Sequence, residues 1–275
     1  MKSGRILSGV LTSVGTLLLA LVLCVSAGRS NVSAQGRGGR GGQAPQTPQA
    51  AAPIDLTGSW VSIVNEDWRW RMVTPPKGDS ASVPLNQEGT RVADEWQPSM
   101  DGRCEAYGAA ALMRLPTRVR ISWESPTVLK LETDAGQQTR RFVFDSSAAA
   151  PAARSLQGFS RAEWESPPVG RGGGGPGGPG PGDGRGGPGS RGGSLKAVTT
   201  MLSTGWLRKN GVPYSENAEV TEYYDRFKTP TGDEWFVVTT TVHDPKYLNQ
   251  DFTTSSHFKK EPDGSKFVPS PCKPS

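Results

Sequence analysis

Strict alternation of apolar and polar side chains, the period of a half-buried strand, runs through most of the chain beyond residue 54. Thr117–Glu124 (TRVRISWE) puts Val119, Ile121 and Trp123 on one face and Arg118, Arg120 and Ser122 on the other. Thr127–Thr133 then leads through Asp134-Ala135-Gly136 into Gln137–Phe144, which predicts a hairpin. Ala218–Phe227 and Glu234–Val242 flank the turn-forming stretch Thr229-Pro230-Thr231-Gly232-Asp233, and a further strand pair is predicted at Thr253–Lys259 and Ser265–Val268, either side of Asp263-Gly264. Trp68-Arg69-Trp70-Arg71-Met72 alternates too, so as a strand it would present Trp68, Trp70 and Met72 on one face and Arg69 and Arg71 on the other. Helical periodicity is confined to about Pro84–Trp96, where Leu85, Val92 and Trp96 recur at helical spacing, and Glu105–Met113. The pattern predicts a mainly β domain, an antiparallel barrel with one or two short helices.

The ends and one internal stretch have a different character. Lys2 and Arg5 precede an apolar run from Val14 through Val25 and then small residues, the order of a secretory signal peptide. The run is shorter than the roughly 20 apolar residues a bilayer requires, so a removed signal over 1–27, and no stable membrane span, is the expectation. Cleavage would follow Ala27 or Ala34, and Cys24 would leave with the signal, since Leu23 is too large for lipoprotein processing. Residues 28–53 and 168–193 are rich in Gly, Pro and Arg and poor in apolar side chains, which predicts a disordered tail and a disordered loop interrupting one β domain over 54–275.

Charge then changes the picture less than it first suggests. The formal net charge is +5, but much of the excess sits in the signal, the tail and the glycine-rich loop. Acidic residues slightly outnumber basic ones in the rest of the chain from residue 50, so a basic face for nucleic acid is not expected. With export, Cys104 and Cys272 are an even pair in an oxidising compartment and read as a disulfide.

Asp55-Leu56-Thr57-Gly58-Ser59-Trp60 resembles the Gly-x-Trp opening of lipocalin and other calycin barrels. Further on, Gly211-Val212-Pro213-Tyr214-Ser215-Glu216, then Glu222 with Arg226-Phe227, then Val242-His243-Asp244-Pro245-Lys246-Tyr247 resemble a large, uncharacterised group of secreted bacterial proteins with a lipocalin-like barrel, which share G-x-P-x-S, E-x-x-x-R-F and D-P-x-x-Y stretches. The likeness extends over about 55–272 outside the glycine-rich loop, notably through EDWRWRMVTPPKGD at 66–79 and LRKNGVPYSENA at 207–218. It implies a periplasmic or secreted barrel and brings no activity with it.

Three functional readings follow. The first is a binding module whose lumen, lined by some of Trp60, Trp68, Trp70, Trp123, Phe142 and Trp235, holds a small apolar or amphipathic ligand; Arg69, Arg71, Arg208, Tyr214 and Glu222 are the polar candidates, the arginines being suited to an anionic group. The second is an envelope interaction or scaffold protein with a filled barrel. The third, a hydrolase-type enzyme, would need Arg208, Tyr214, Glu222 or His243 to converge. No Gly-x-Ser-x-Gly elbow occurs, the carboxylates show no distinctive spacing, and the glycine run at 172–175 lacks the lysine of a phosphate loop, so no catalytic residue and no cofactor are assigned. His243 and His257, with Asp244, would form at most a sparse metal site if a bend at 247–251 brought them opposite one another. Oligomeric state is not legible.

Overall fold

In chain order the strands and helices are β1 (Gly58–Ile63), α1 (Trp68–Arg71), α2 (Gln87–Glu95), α3 (Ala109–Leu112), β2 (Arg118–Ser125), β3 (Val128–Thr133), β4 (Thr139–Val143), β5 (Phe159–Glu165), β6 (Ser194–Thr200), β7 (Gly205–Arg208), β8 (Val212–Tyr214), β9 (Glu219–Lys228), β10 (Glu234–His243) and β11 (Phe252–Glu261). The structure, a computed structural model, describes residues 46–100, 104–165 and 193–272. The expected signal peptide, the tail as far as residue 45 and the glycine-rich loop as far as residue 192 lie outside the described residues. Residues 46–53, at the end of the expected tail, sit against the barrel: the Trp164 indole donates to Pro48 O at 2.8 Å and Gln49 N to Pro126 O at 3.1 Å.

Nine strands close into a barrel in the order β1-β11-β10-β9-β6-β5-β4-β3-β2, while β7 and β8 form a separate hairpin. The pairing is antiparallel throughout except between β4 and β5, which run parallel and pair only through Phe142 with Ser160 and Val143 with Arg161. This one seam makes the expected antiparallel barrel a mixed one. Its cause is the long connection 144–158, since parallel neighbours require a crossover of about a dozen residues rather than a tight turn.

Period two explains what fills the barrel. β10 buries Phe236, Val238, Thr240 and Val242 and turns the residues between them outward, and the other strands do likewise with Trp60, Val119, Ile121, Leu129, Leu131, Phe142, Leu195, Ala197, Tyr224 and Phe258. Trp60 meets Phe236 edge-on at 4.9 Å between ring centroids, Phe236 stacks on Phe258 at 4.7 Å, and Tyr224 lies 5.5 Å from Phe142. These rings occupy the middle of the lumen. Among the tryptophans expected to line it, Trp60 does so, Trp123 packs with Phe144 and Trp164, Trp235 is outside beneath Lys259, and Trp68 and Trp70 are not on the barrel at all.

Two further expectations are corrected. The 68–72 segment is one helical turn, with Met72 N–H donating to Trp68 O at 2.8 Å. Alternation over five residues suits a strand, but Asp67 enters in the left-handed region (φ 53°) and Pro75-Pro76 follow closely, so no extended pairing forms. The turn separates the two tryptophans: Trp68 is 66% exposed, whereas Trp70 is half-buried. Ser265–Val268 is not a strand either. β11 already pairs with β10 on one side and β1 on the other, so barrel closure leaves no edge, and the chain turns away at Asp263, whose side chain accepts from Ser265 N at 2.9 Å.

The C-terminal segment then runs back to the 134–136 turn, where Ser270 N donates to Asp134 O at 2.8 Å. It ends in a disulfide between Cys272 and Cys104, across a sequence separation of 168. No helix among the described residues is long and apolar enough to cross a membrane.

Candidate anion-binding site

The polar residues singled out in the 66–79 stretch converge at one side of the β7–β8 hairpin. Two guanidinium groups, those of Arg69 and Arg208, lie over the Trp70 ring, each with its Cζ 4.6 Å from the ring centroid. Asp79 anchors this stack: its Oδ2 accepts from Arg69 Nη2 at 2.7 Å and from the Trp70 indole at 3.1 Å. Arg208, held on β7, donates from Nη2 to Ala81 O at 2.6 Å and from Nη1 to Asp79 O at 3.4 Å, and Asn210 fixes the same loop by donating to Pro76 O at 2.8 Å.

Arg71 faces the barrel from α1. Its Nε donates to Arg114 O at 2.7 Å and its Nη1 to Glu66. Arg114, at the end of α3, pairs with Asp67 at 2.9 Å. Four arginines (69, 71, 114 and 208) therefore share three carboxylates (Glu66, Asp67 and Asp79). Buried Arg71 Nη2 and Arg208 Nε have no acceptor among the described residues, a condition that ordinarily costs about 1–3 kcal/mol per group. Burial, then repulsion from Arg114, pushes Arg208 down to about 10. Burial also lowers Arg71, against the pull of Glu66.

Space is available where those donors are. Arg71, Arg114, Arg208 and Leu207 line a recess of about 20 Å³, enough for one water-sized group. A cleft of about 300 Å³ shares Arg71, Leu115 and Lys209 with the recess and continues past Met72, Tyr107 and Pro116 to Ser270 and Pro271. Among the described residues the one carboxylate along the cleft is that of Asp134, whose Oδ1 accepts from Thr117 Oγ1, Arg118 N and Ala135 N at 2.6–2.8 Å. A cationic inner end with a half-apolar outer channel can hold a negatively charged head and a short apolar body.

The other candidates lie elsewhere. Trp68 stands outside the recess. Tyr214 is buried on β8 behind the hairpin, and Glu222 is inside the barrel, paired with Arg140. The expected histidine pairing fails in register: His257 lies opposite Val237, while His243 stands beside Asp251 at 2.7 Å. Six residue steps from Asp251 to His257 along β11 correspond to about 20 Å, and His257 turns to Glu66 at 3.2 Å instead. Among the described residues no group of three or more His, Cys, Asp or Glu is placed to hold a metal ion. Arg114 is the member that the sequence reading missed. An arginine in the apolar run AAALMRL is the available signal, because a buried charge requires a partner.

No protein-family model, curated protein or solved structure matches the chain.

Proposed function

We propose that the chain is an exported, lipocalin-like binding module that takes a small amphipathic anion in the arginine recess and its cleft, outside the barrel lumen. The observation that carries this reading is the pair of buried, unaccepted guanidinium N–H groups of Arg71 and Arg208, on residues that line a water-sized recess, with Arg71 also lining the adjoining cleft of ligand size. A carboxylate or similar oxyanion entering the recess would accept from both, and charge-assisted hydrogen bonds of that type are worth about 1.5–3 kcal/mol each. Met72, Leu115 and Pro116 along the cleft suit an alkyl body. The Cys104–Cys272 disulfide supports an oxidising compartment, in keeping with the signal-like N-terminus.

Calorimetry with decanoate and with decanol, which share a chain and differ in the head, tests the reading. Decanoate should bind more tightly than decanol, and Arg208→Gln should weaken decanoate by about tenfold or more while leaving decanol unchanged. Equal affinity for the two heads, or no effect of the substitution, would contradict it. A second reading, an envelope interaction protein, is favoured by the exposed Trp68, Met72 and Val73. If their purpose is contact with a macromolecule, Trp68→Ala will abolish retention on the envelope fraction and spare decanoate.

A further inference from the structure

The same hairpin also borders a cavity with different chemistry, which shares no lining residue with the arginine recess. Leu207 and Arg208 border the arginine recess, whereas Gly205 and Trp206 of β7, with Pro213 and Tyr214 of β8, border a half-open space of about 210 Å³ that Val92, Met100 and Tyr247 also line. An engineered protein cavity of about 150 Å³ holds benzene, so this one has room for a substituted six-membered ring. Its walls are aromatic and aliphatic, with Thr204 and Glu105 as the remaining polar side chains.

Two donors in this wall are unused. The Trp206 indole N–H and the Tyr214 hydroxyl are buried with no hydrogen-bond partner among the described residues, and Tyr214 as a whole has no exposed surface. The hydroxyl is closely seated: a Cβ placed on Gly205 would lie 2.5 Å from it and one on Gly108 only 2.0 Å. Glycine at these positions is what lets the phenol in. Burial holds the phenol well above its ordinary pKa, so it remains a proton donor. Among the described residues no guanidinium lines the cavity, so an anion there would be buried without a counter-charge from its walls.

We propose that this cavity is a second ligand site, taking an uncharged, ring-sized molecule that carries a hydrogen-bond acceptor for the Trp206 indole and the Tyr214 hydroxyl. It is independent of the arginine site in position and opposite to it in charge preference.

Benzamide and benzoate have the same shape and differ in charge, and calorimetry on the full chain reports their binding. Benzamide should bind at least about tenfold more tightly than benzoate, and saturating decanoate should not displace it. Tyr214→Phe should weaken benzamide about tenfold. It should also leave the melting temperature unchanged or raised, since it deletes a buried hydroxyl that has no partner. Benzoate binding as well as benzamide, an unchanged affinity in Tyr214→Phe, or displacement by decanoate would each overturn the proposal. So would failure of both probes together with a destabilised Tyr214→Phe, which would make the hydroxyl a structural group satisfied by water. Failure of decanoate to bind would count against the arginine site alone.

Discussion

Arg140 and Glu222 form a two-pronged ion pair inside the barrel, Nη1 to Oε1 at 2.9 Å and Nη2 to Oε2 at 2.6 Å, with neither side chain exposed. The pair spans the lumen from β4 to β9, past the intervening β5 and β6. Thr199 and Ser160 from those strands accept from Arg140 at 3.2 and 3.4 Å, and the Tyr224 hydroxyl donates to Glu222 at 3.2 Å. Burial alone would push the Arg140 guanidinium down, but the Glu222 carboxylate outweighs it and Arg140 stays charged. The position has a structural meaning. β4 and β5 share the shortest pairing of the barrel wall, and a cross-lumen tie holds that seam shut. It also occupies the space a luminal ligand would need.

Breaking the tie should therefore be severe. Glu222→Ala leaves a guanidinium buried without its counter-charge and should cost about 3–5 kcal/mol, whereas Arg140→Met combined with Glu222→Leu should recover most of that loss. Urea unfolding of the two variants checks both expectations. A mild Glu222→Ala phenotype would mean that water reaches the pair.

Acid should weaken the outer wall through Glu234. Its carboxylate sits among Lys260, Arg226 and Lys228 at 2.9, 2.9 and 3.1 Å. These partners, Lys260 first, hold it down at about 2 from an ordinary 4.5. A depressed carboxylate stabilises the fold above its unfolded pKa, and that contribution is lost as pH falls from about 5 toward 2. Solvent screening limits it to about 1 kcal/mol. Glu234→Gln should flatten this part of the stability-against-pH curve and leave the curve above pH 6 parallel to that of the wild type.

Cys104→Ser with Cys272→Ser opens a loop with a sequence separation of 168. The chain-entropy account gives a loss of about 4–5 kcal/mol, read as a lower melting temperature that added reductant reproduces in the wild type. Because Ser270 and Pro271 form the far wall of the cleft, the same variant should also bind decanoate more weakly.

Gly211 begins the G-x-P-x-S stretch, and its place in the structure explains why. It has a φ of +79°, and a Cβ there would lie 2.1 Å from Trp96 Cγ. Gly211→Ala combines left-handed strain with a clash and should destabilise by about 3 kcal/mol, measured by thermal or urea unfolding.

Much of the wall was legible because period two and turn residues are local signals. The β3–β4 and β9–β10 hairpins fall where alternation and Gly/Asp turns placed them. The motif residues also prove to be joined: Asp244 of D-P-x-x-Y accepts from Ser215 N at 2.6 Å and Ser215 Oγ at 2.7 Å. What escaped the sequence depends on distance and closure. Arg140 and Glu222 are 82 residues apart, and nothing along the chain marks them as partners. Ser265–Val268 has strand composition, but the edge it would use is taken by β1. Arg69, Trp70, Arg71 and Arg208 were recognised as candidates, yet their convergence depends on the helical turn of α1, which five alternating residues conceal, and on Arg114 from α3.

The most direct test of binding outside a filled lumen is a crystal structure with 10-bromodecanoate, located by the anomalous signal of bromine. The account places the carboxylate against Arg71 and Arg208 and the bromine in the cleft beside Met72 and Pro116, with Trp60, Phe236 and Phe258 undisturbed. Bromine inside the barrel among those rings, or none at the arginine recess under saturating ligand, would contradict it.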